Sequence, residues 1–600
     1  MPSFSKVLVA NRGEIAVRVF RTLRELGIGT VAVYSEADRG SLHVSAADEA
    51  YLIGPGAPSE SYLNQERLLD VADRAGAQAV HPGYGFLAEN AGFARSVEGA
   101  GLVWIGPPPE AIEVMGSKTA ARERMTAAGV PVVPGTTEPV VSPEGVLRVG
   151  DELGWPIAIK AAAGGGGKGL RVVHDPAEAE RAFESAQREG EAYFADPTVY
   201  VERYLEDPRH VEVQVLADAQ GNVIHLGERD CTIQRRHQKL VEETPSPAVD
   251  EALRERIGGI AVEAARAVRY RSAGTVEGLL SRDGDYFFLE MNTRIQVEHT
   301  VTELATGLDL VREQVLIAAG EPLWLTQDDV RLHGHAIECR INAEDVAQGF
   351  LPAPGRITSY REPAGPGVRI DSGVEAGTEI SGLYDPMIAK ICVHDVDREH
   401  ARRRMLRALE EFQIGGVTTL VGFHLALLEH PCFVDGATCH GVVESEQLAQ
   451  RASELSSQLS HRTTSIAQAS DGVAAAATTR RAVTAEVDGR RYEVTLSVPE
   501  PPHAELARRR RKRSRGGGTH SAARDAVVTP MQGTVLAVEV SEGDDVSPGQ
   551  VLCVIEAMKM ENEITAHRAG VVTDLSVEPG QSVSTGQVIC VVSQEGDAEA

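Results

Sequence analysis

Aromatic side chains make up only 4% of the 600 residues, too few for a surface that stacks on nucleic-acid bases. Basic residues are outnumbered: 59 Lys and Arg against 87 Asp and Glu leave a formal net charge of −28, which repels phosphate backbones and anionic lipids. No nucleic-acid or membrane partner is therefore expected. The seven cysteines are odd in number and scattered, with no CxxC pair. A disulfide framework is thus not expected, and a reducing compartment fits, which we read as the cytoplasm. No long apolar run precedes the strand-like segment at 6–10, so neither a signal peptide nor a membrane span is expected. Missing too is a GxGxxG after that segment; its loop reads Asn11-Arg12-Gly13-Glu14, which argues against a dinucleotide site.

A chain of this length is too long for one core and must divide. Residues 6–10 (KVLVA), a helical spacing over 15–26 and 29–34 (GTVAVY) open as a βαβ unit, α/β in class. From about 116 to 330 helices mix with hairpins in an α+β texture, and a further mixed segment covers 331–446. Few large apolar residues occur in 447–481, which reads as a linker, while 482–498 is a short β segment. Residues 499–524 contain PEPP, the basic run RRRRKRSR at 508–515 and a triple glycine, and bury too little apolar surface to fold. As a flexible tether they span roughly 25–30 Å. The basic run reads as a solubility or docking device of an acidic protein, with nucleic-acid binding as the alternative.

The C-terminal segment, 525–595, repeats itself. Residues 533–555 match 570–592 at a constant offset, Gly543 aligning with Gly580 and Gly549 with Gly586. Alternating valines punctuated by Gly, Asp and Pro turns read as a small flattened β-barrel with pseudo-twofold symmetry. Between the halves lies Ala557-Met558-Lys559-Met560, a lysine presented where a modifying enzyme reaches an amine; the bland alternative is a charged turn.

A second constellation begins at Ile157-Ala158-Ile159-Lys160, followed by the glycine loop 164–167, whose amides suit phosphates. Gly169 stands where a Walker A loop needs Ser or Thr after its lysine, and a plain surface hairpin is the alternative. Further on, Glu277 and the strand-like 288–292 place Glu290 and Asn292 on one face, hard ligands suited to magnesium or else simply solvated. The run Arg294-Ile295-Gln296-Val297-Glu298-His299 continues the alternation into a polar anion pocket. His430, Cys432, Cys439 and His440 match no common zinc spacing.

With these residues in view, the chain resembles biotin-dependent carboxylases. The tetrapeptide around Lys559 and Pro530-Met531-Gln532-Gly533 look like the biotin attachment motifs of carrier domains; lipoyl domains share the fold but generally lack the flanking methionines. Residues 6–446 resemble biotin carboxylase almost continuously, with blocks NRGEIAVR at 11–18, HPGYGFLAEN at 81–90, QRRHQK at 234–239 and ECRINAED at 338–345. The resemblance implies a Rossmann-like pre-ATP-grasp domain at 1–115, an ATP-grasp domain at 116–330, a biotin carboxylase C-terminal domain at 331–446 and an all-β biotinyl or lipoyl-like barrel at 525–595. The segment 482–498 would be a reduced partner-docking region. By the same resemblance Lys118, Lys160, Gly166 and Gly167 bind ATP phosphates, Glu202 and Leu205 lie at the adenine hinge, and His210 and His237 hold the nucleotide. Glu277, Glu290 and Asn292 would hold magnesium or manganese; Lys239, Arg294, Gln296, Val297 and Glu298 would surround bicarbonate; Arg340 would meet the biotin ureido group. Gly278 and Thr300 depart from the family, which usually has an aromatic and a proline there.

The implied activity is ATP- and bicarbonate-dependent carboxylation of biotin on Lys559. It would feed a separate carboxyltransferase beta subunit that carboxylates an acyl-CoA, acetyl- or propionyl-CoA, as in actinobacterial acyl-CoA carboxylase alpha subunits. A biotin protein ligase would load Lys559, and a homo-oligomer within a larger alpha/beta complex is implied. The alternatives are the biotin-charging half of a pyruvate or urea carboxylase system and a noncatalytic biotin carrier. Glu298 as general base on bicarbonate would supply about 10²- to 10⁴-fold.

Overall fold

The computed structural model describes residues 3–136, 138–161, 170–194, 198–236, 238–470, 478–487, 490–499, 526–557 and 560–593. They fall into two compact units, divided between Ser457 and Gln458.

The first unit opens with β1 (Lys6–Val9), helix α1 (Gly13–Glu25), β2 (Gly29–Ser35), β3 (Glu49–Gly54), β4 (Ala79–His81) and β5 (Val103–Trp104). The strands pair in parallel in the order β3-β2-β1-β4-β5. Leu8 and Val31 are buried with one apolar cluster, and Val7 and Val9 with another. A parallel sheet covered on both faces needs apolar residues at every position, which is why these strands do not alternate.

β6 (Ile157–Ala161), β7 (Leu170–Val173) and β8 (Val199–Arg203) form a separate antiparallel sheet in the order β7-β6-β8. Helix Ala179–Phe194 lies against it through Ala179, Phe183 and Ala186, which share a core with Ile157, Ile159 and Val201.

The larger sheet has eight antiparallel strands. It runs β13 (Tyr286–Asn292), β12 (Ser272–Leu280), β9 (Arg209–Ala217), β10 (Val223–Arg235), β11 (Gln238–Thr244), β14 (His335–Asn342), then strands Met387–Asp395 and Val368–Ser372. The division read at 330/331 is therefore one of sequence and not of sheet: β11 pairs with β14 from Val241↔Cys339 to Thr244↔Ala336. A ladder between strands so far apart in the chain leaves no compositional mark.

Residues read as a linker, 447–481, contain most of a helix, Glu446–Ser470. Its Gln, Ala, Glu and Leu residues are good helix formers, and propensity over 25 residues outweighs the thin apolar stripe. The β segment at 482–498 lies in a hairpin of Thr478–Val487 and Arg490–Pro499. The tether beyond it, with the basic run, lies outside the described residues.

At the C-terminal end of the second unit, two four-stranded antiparallel sheets enclose Val535, Leu552, Ile555, Val572, Ile589 and Val592. The sequence repeat is a structural repeat. Gly543 N–H donates to Val572 C=O and Gly580 N–H to Val535 C=O, while Gly549 N–H donates to Ala566 C=O and Gly586 N–H to Thr529 C=O. A Cβ on Gly533 would lie 2.4 Å from the Glu556 carbonyl, and one on Gly570 would lie 2.4 Å from the Ser593 carbonyl, so only glycine lets each pair of strands approach.

Candidate active site

The register of β12 on β13 sets Glu277 directly opposite Glu290 and Thr275 opposite Asn292. Glu277 is buried and accepts hydrogen bonds from Lys239 Nζ (2.9 Å), Asn292 Nδ2 (2.8 Å) and Gln296 Nε2, with His210 Nε2 at 2.8 Å. Burial pulls its carboxyl up, yet Lys239 and His210 outweigh this and hold it well below the ordinary carboxylate range. Glu290 faces solvent and has moved the other way: surrounding protein and the Glu277 charge push its carboxyl up.

Lys239, on β11, reaches three carboxylates at once: Glu212, Glu277 and Glu298, the last at 2.7 Å. Its ammonium is driven well above its usual pKa by them, against the cost of burial. Glu298 immediately precedes helix His299–Thr306 and is held between Lys239 and Arg340 Nη2 (2.8 Å). Those two cations hold its carboxyl ionised, far below the ordinary range, although burial opposes them. Arg340 spends its Nε on Glu242 (2.6 Å). Arg294 takes Glu89 (2.8 Å) and the Asn292 side-chain oxygen (2.7 Å). Lys239, Arg294, Gln296, Glu298 and Arg340 thus stand in one connected cluster.

Several organisers of this cluster were not legible in the sequence. Arg229 on β10 is fully buried and uses all five N–H groups: Nε to Glu212, Nη1 to Gln214 and Thr302, Nη2 to Thr275 and Gln296. Lys390, also fully buried, donates to the Val297 carbonyl at 2.7 Å and so fixes the backbone beside Glu298. Glu242 and Glu89 complete the ion pairs of Arg340 and Arg294. The one available signal was a charged residue inside an apolar strand, as in VIHLGERDCTI, since a buried guanidinium must be fully paired.

The residues assigned to nucleotide lie on several elements. Lys160 on β6 pairs with Glu202 on β8, and Arg122 donates to the same carboxylate at 3.2 Å. Lys118 begins helix Lys118–Ala127 and is exposed, its charge acting on Glu290. Leu205 is buried. His210 sits on the acidic side of the site, against Glu277, which raises its imidazole despite burial. Gly166, Gly167, His237 and Lys559 lie outside the described residues.

The two family departures have packing explanations. A Cβ on Gly278 would fall 2.2–2.5 Å from the Tyr286 ring, which fills that space. Thr300 donates to the buried Glu338 and accepts from the Cys392 thiol at 3.2 Å, contacts that proline could not make.

The donor set fits a divalent cation. Glu277 and Glu290 face one another, and surrounding protein together with the Glu277 charge pushes the Glu290 carboxyl up; carboxylates with an amide oxygen are hard ligands. A second grouping, His210, Glu212 and Glu277, brings its ligand atoms within 4.8 Å of one another. In the second unit Ala557 pairs with Met560, and Gly533, at the end of the upstream Pro530–Gly533 motif, closely approaches Glu556, three residues before Lys559 in the chain.

Four families match in succession: biotin carboxylase, N-terminal domain, over 3–112; carbamoyl-phosphate synthase L chain, ATP binding domain, over 117–326; biotin carboxylase C-terminal domain over 338–445; and biotin-requiring enzyme over 525–592. The chain is 46% identical over 581 residues to the biotin-dependent acyl-coenzyme A carboxylase alpha3 subunit of Mycobacterium leprae, covering 94% of this chain and 95% of that one. It is 54% identical over 432 residues to biotin carboxylase 1 of Bacillus subtilis, covering 72% of this chain and 96% of that one. Among solved structures it resembles the biotin carboxylase domain of the Hydrogenobacter thermophilus 2-oxoglutarate carboxylase, solved with MgADP, ADP and bicarbonate. That likeness has a TM-score of 0.67 and 48% identity, over 74% of this chain and 99% of that one.

Proposed function

The chain belongs to the biotin-dependent carboxylases, as a biotin carboxylase joined to a biotinyl carrier domain, and from that premise we propose that the cluster around Lys239 activates bicarbonate against ATP. The observation that carries this reading is Glu298, a buried carboxylate kept ionised between Lys239 and Arg340.

Bicarbonate binding displaces part of the ion pairing. Lys239 and Arg294 turn donors toward the new anion, and Glu298, relieved of one cation, becomes basic enough to take the bicarbonate proton. The oxyanion so formed attacks the γ-phosphate of ATP, giving carboxyphosphate and ADP. Lys118 and Lys160 hold the phosphates and neutralise charge on the transferred group. The Gln296 side chain, fixed by Arg229, and the Val297 backbone N–H, on a segment that Lys390 fixes through the Val297 carbonyl, keep the anion in line, and such positioning supplies most of the acceleration. Glu277, Glu290 and Asn292 would hold magnesium or manganese, which would supply charge neutralisation for the phosphates. Carboxyphosphate releases CO2 and phosphate, and biotin on Lys559, when bound, would supply the ureido nitrogen that gives its proton to that phosphate and takes up the CO2. Arg340 donates to the ureido oxygen, its planar guanidinium fixed by Glu242.

The acceptor is read as an acyl-CoA, acetyl- or propionyl-CoA, reached through a separate carboxyltransferase. Relatives matched along nearly the whole chain, carrier included, are an acyl-CoA carboxylase alpha subunit and a propionyl-CoA carboxylase alpha chain, which favours this over a pyruvate or urea system and over a noncatalytic carrier. Loading of Lys559 by a biotin protein ligase, assembly as a homo-oligomer and a cytoplasmic setting belong to the same proposal. No helix among the described residues is long and apolar enough to cross a membrane.

Bicarbonate-dependent ADP release, stimulated by free biotin, tests the reading. Glu298→Gln is expected to lower kcat by about 10²- to 10⁴-fold with the fold retained, because Arg340 keeps Glu242, and Lys239 keeps Glu212 and Glu277. Lys559→Ala is expected to keep turnover with free biotin. ADP release that ignores bicarbonate in the unaltered chain refutes the proposal.

A further inference from the structure

Cys432 and Cys439 are joined by a disulfide, with Cα atoms 5.6 Å apart and a sequence separation of 7. This departs from the expectation of free thiols, which holds for Cys231, Cys339, Cys392, Cys553 and Cys590, all buried. Two cysteines seven apart show no such pairing in sequence; the short helix Pro431–Val434 and the turn after it bring them together. Cys439 is buried and Cys432 partly exposed, so the Cys432 sulfur is the one a dissolved thiolate reaches first. The flanking histidines are engaged elsewhere: His430 Nδ1 accepts from Cys432 N–H, and His440 Nδ1 lies against Asp207.

The loop that this bond closes grips the chain between β8 and β9. Thr438 Oγ1 donates to Asp207 Oδ1 at 2.7 Å, His440 Nδ1 sits 2.5 Å from the same oxygen, and the Gly436 carbonyl accepts from Arg209. Asp207 adopts φ +48°, a left-handed setting that aspartate tolerates better than most side chains. On one side of this crossing lie Lys160 and Glu202, on the other His210 and Glu212, the first residue pair of β9 to face the acidic cluster.

We propose that Cys432–Cys439 is a thiol–disulfide exchange site, taking a dithiol reductant, through which redox state tunes nucleotide binding; it rests on reading the adjoining cluster as the ATP site. A thiolate of the reductant attacks the Cys432 sulfur, the S–S bond breaks, and Cys439 leaves as a thiolate that takes up a proton. The second reductant thiol then attacks the mixed disulfide and frees Cys432, so two electrons and two protons pass to the protein and the reductant becomes a disulfide. Reduction unties the 432–439 loop, frees Asp207 from Thr438 and His440, and loosens the crossing into β9. In a chain whose other thiols are all free, a single partly exposed disulfide has the character of a sensor rather than a staple.

The test uses the full-length chain equilibrated in oxidised or reduced dithiothreitol. Native protein is treated with iodoacetamide and mapped by mass spectrometry, while mant-ATP binding and the KM and kcat for ATP are measured in both states. Expected are alkylation of Cys432 only after reduction, and weaker mant-ATP binding with a higher KM for ATP, by at least about fivefold for two lost hydrogen bonds, with kcat little changed. Cys432→Ser should show the reduced values in both buffers, and Thr438→Val should approach them with the disulfide intact. Alkylation of Cys432 without reductant overturns the proposal, as does nucleotide binding that is the same in both states of the unaltered chain. Redox-dependent mant-ATP binding without any bicarbonate-dependent turnover would sink the carboxylase reading and leave this one standing.

Discussion

Replacing Arg229 by lysine keeps the charge and removes the geometry. The guanidinium offers five N–H groups and all five are used, on Glu212, Gln214, Thr302, Thr275 and Gln296. An ammonium has three, so at least two buried acceptors lose their donor. At about 1.5–3 kcal/mol for each hydrogen bond to a charged group, Arg229→Lys should cost the first unit about 3–6 kcal/mol. The Gln296 carbonyl oxygen is the most exposed to loss, because it is reached by the far end of the guanidinium. Gln296 also donates to Glu277 and precedes Val297 and Glu298, so a displacement there misplaces the base, and kcat should fall by about 10²-fold. Arg229→Met, which leaves Glu212 to Lys239 and, at 3.9 Å, His210, should be worse in stability, as expected when one partner of a buried ion pair is removed. The three tryptophans, Trp104, Trp155 and Trp324, all lie in the first unit, so the urea midpoint of tryptophan fluorescence reports that unit alone, and ADP release reports the site. An Arg229→Lys protein with an unchanged midpoint and unchanged kcat would refute the argument that this guanidinium holds the bicarbonate segment.

Gly278→Phe should destabilise the first unit by about 1–3 kcal/mol through its clash with Tyr286, and adding Tyr286→Ala should restore at least half of the loss in the same urea assay; no rescue would show that the ring is not the obstacle. Glu14 is buried beside Lys390, and burial pushes its carboxyl from 4.5 up to about 7. The folded chain therefore binds this proton more tightly than the unfolded chain, and stability falls as pH rises from about 4.5 to 7, by about 3 kcal/mol. Glu14→Gln should match the unaltered chain at pH 4.5 and exceed it at pH 8, and equal stabilities at pH 8 would refute the shift. In the carrier, Gly533→Ala and Gly570→Ala should cost equal amounts, about 1–3 kcal/mol each, read as hydrogen exchange over 526–593; a strongly unequal pair would contradict the structural repeat.

Sequence alone determined what is local and periodic. The opening βαβ unit was legible because a buried parallel strand leaves a continuous apolar run, and the carrier because each glycine recurs at its counterpart in the second half. Glu290 and Asn292 were placed on one face by the period of two, and the β12–β13 register bears this out; Lys559 lies outside the described residues. Tertiary structure alone decided who pairs with whom. The partners of Arg340 lie 98 and 42 residues away, that of Lys390 lies 93 away, and that of Arg294 lies 205 away. No periodicity spans such separations, and an ion pair carries no trace of its mate in the chain. The same reason hid the single eight-stranded sheet behind a boundary at 330/331 and the Cys432–Cys439 bond behind a scatter of cysteines. Burial made the remaining choice: a charge withdrawn from water persists only where the fold brings its counter-charge to it, and here the fold brought several to one place.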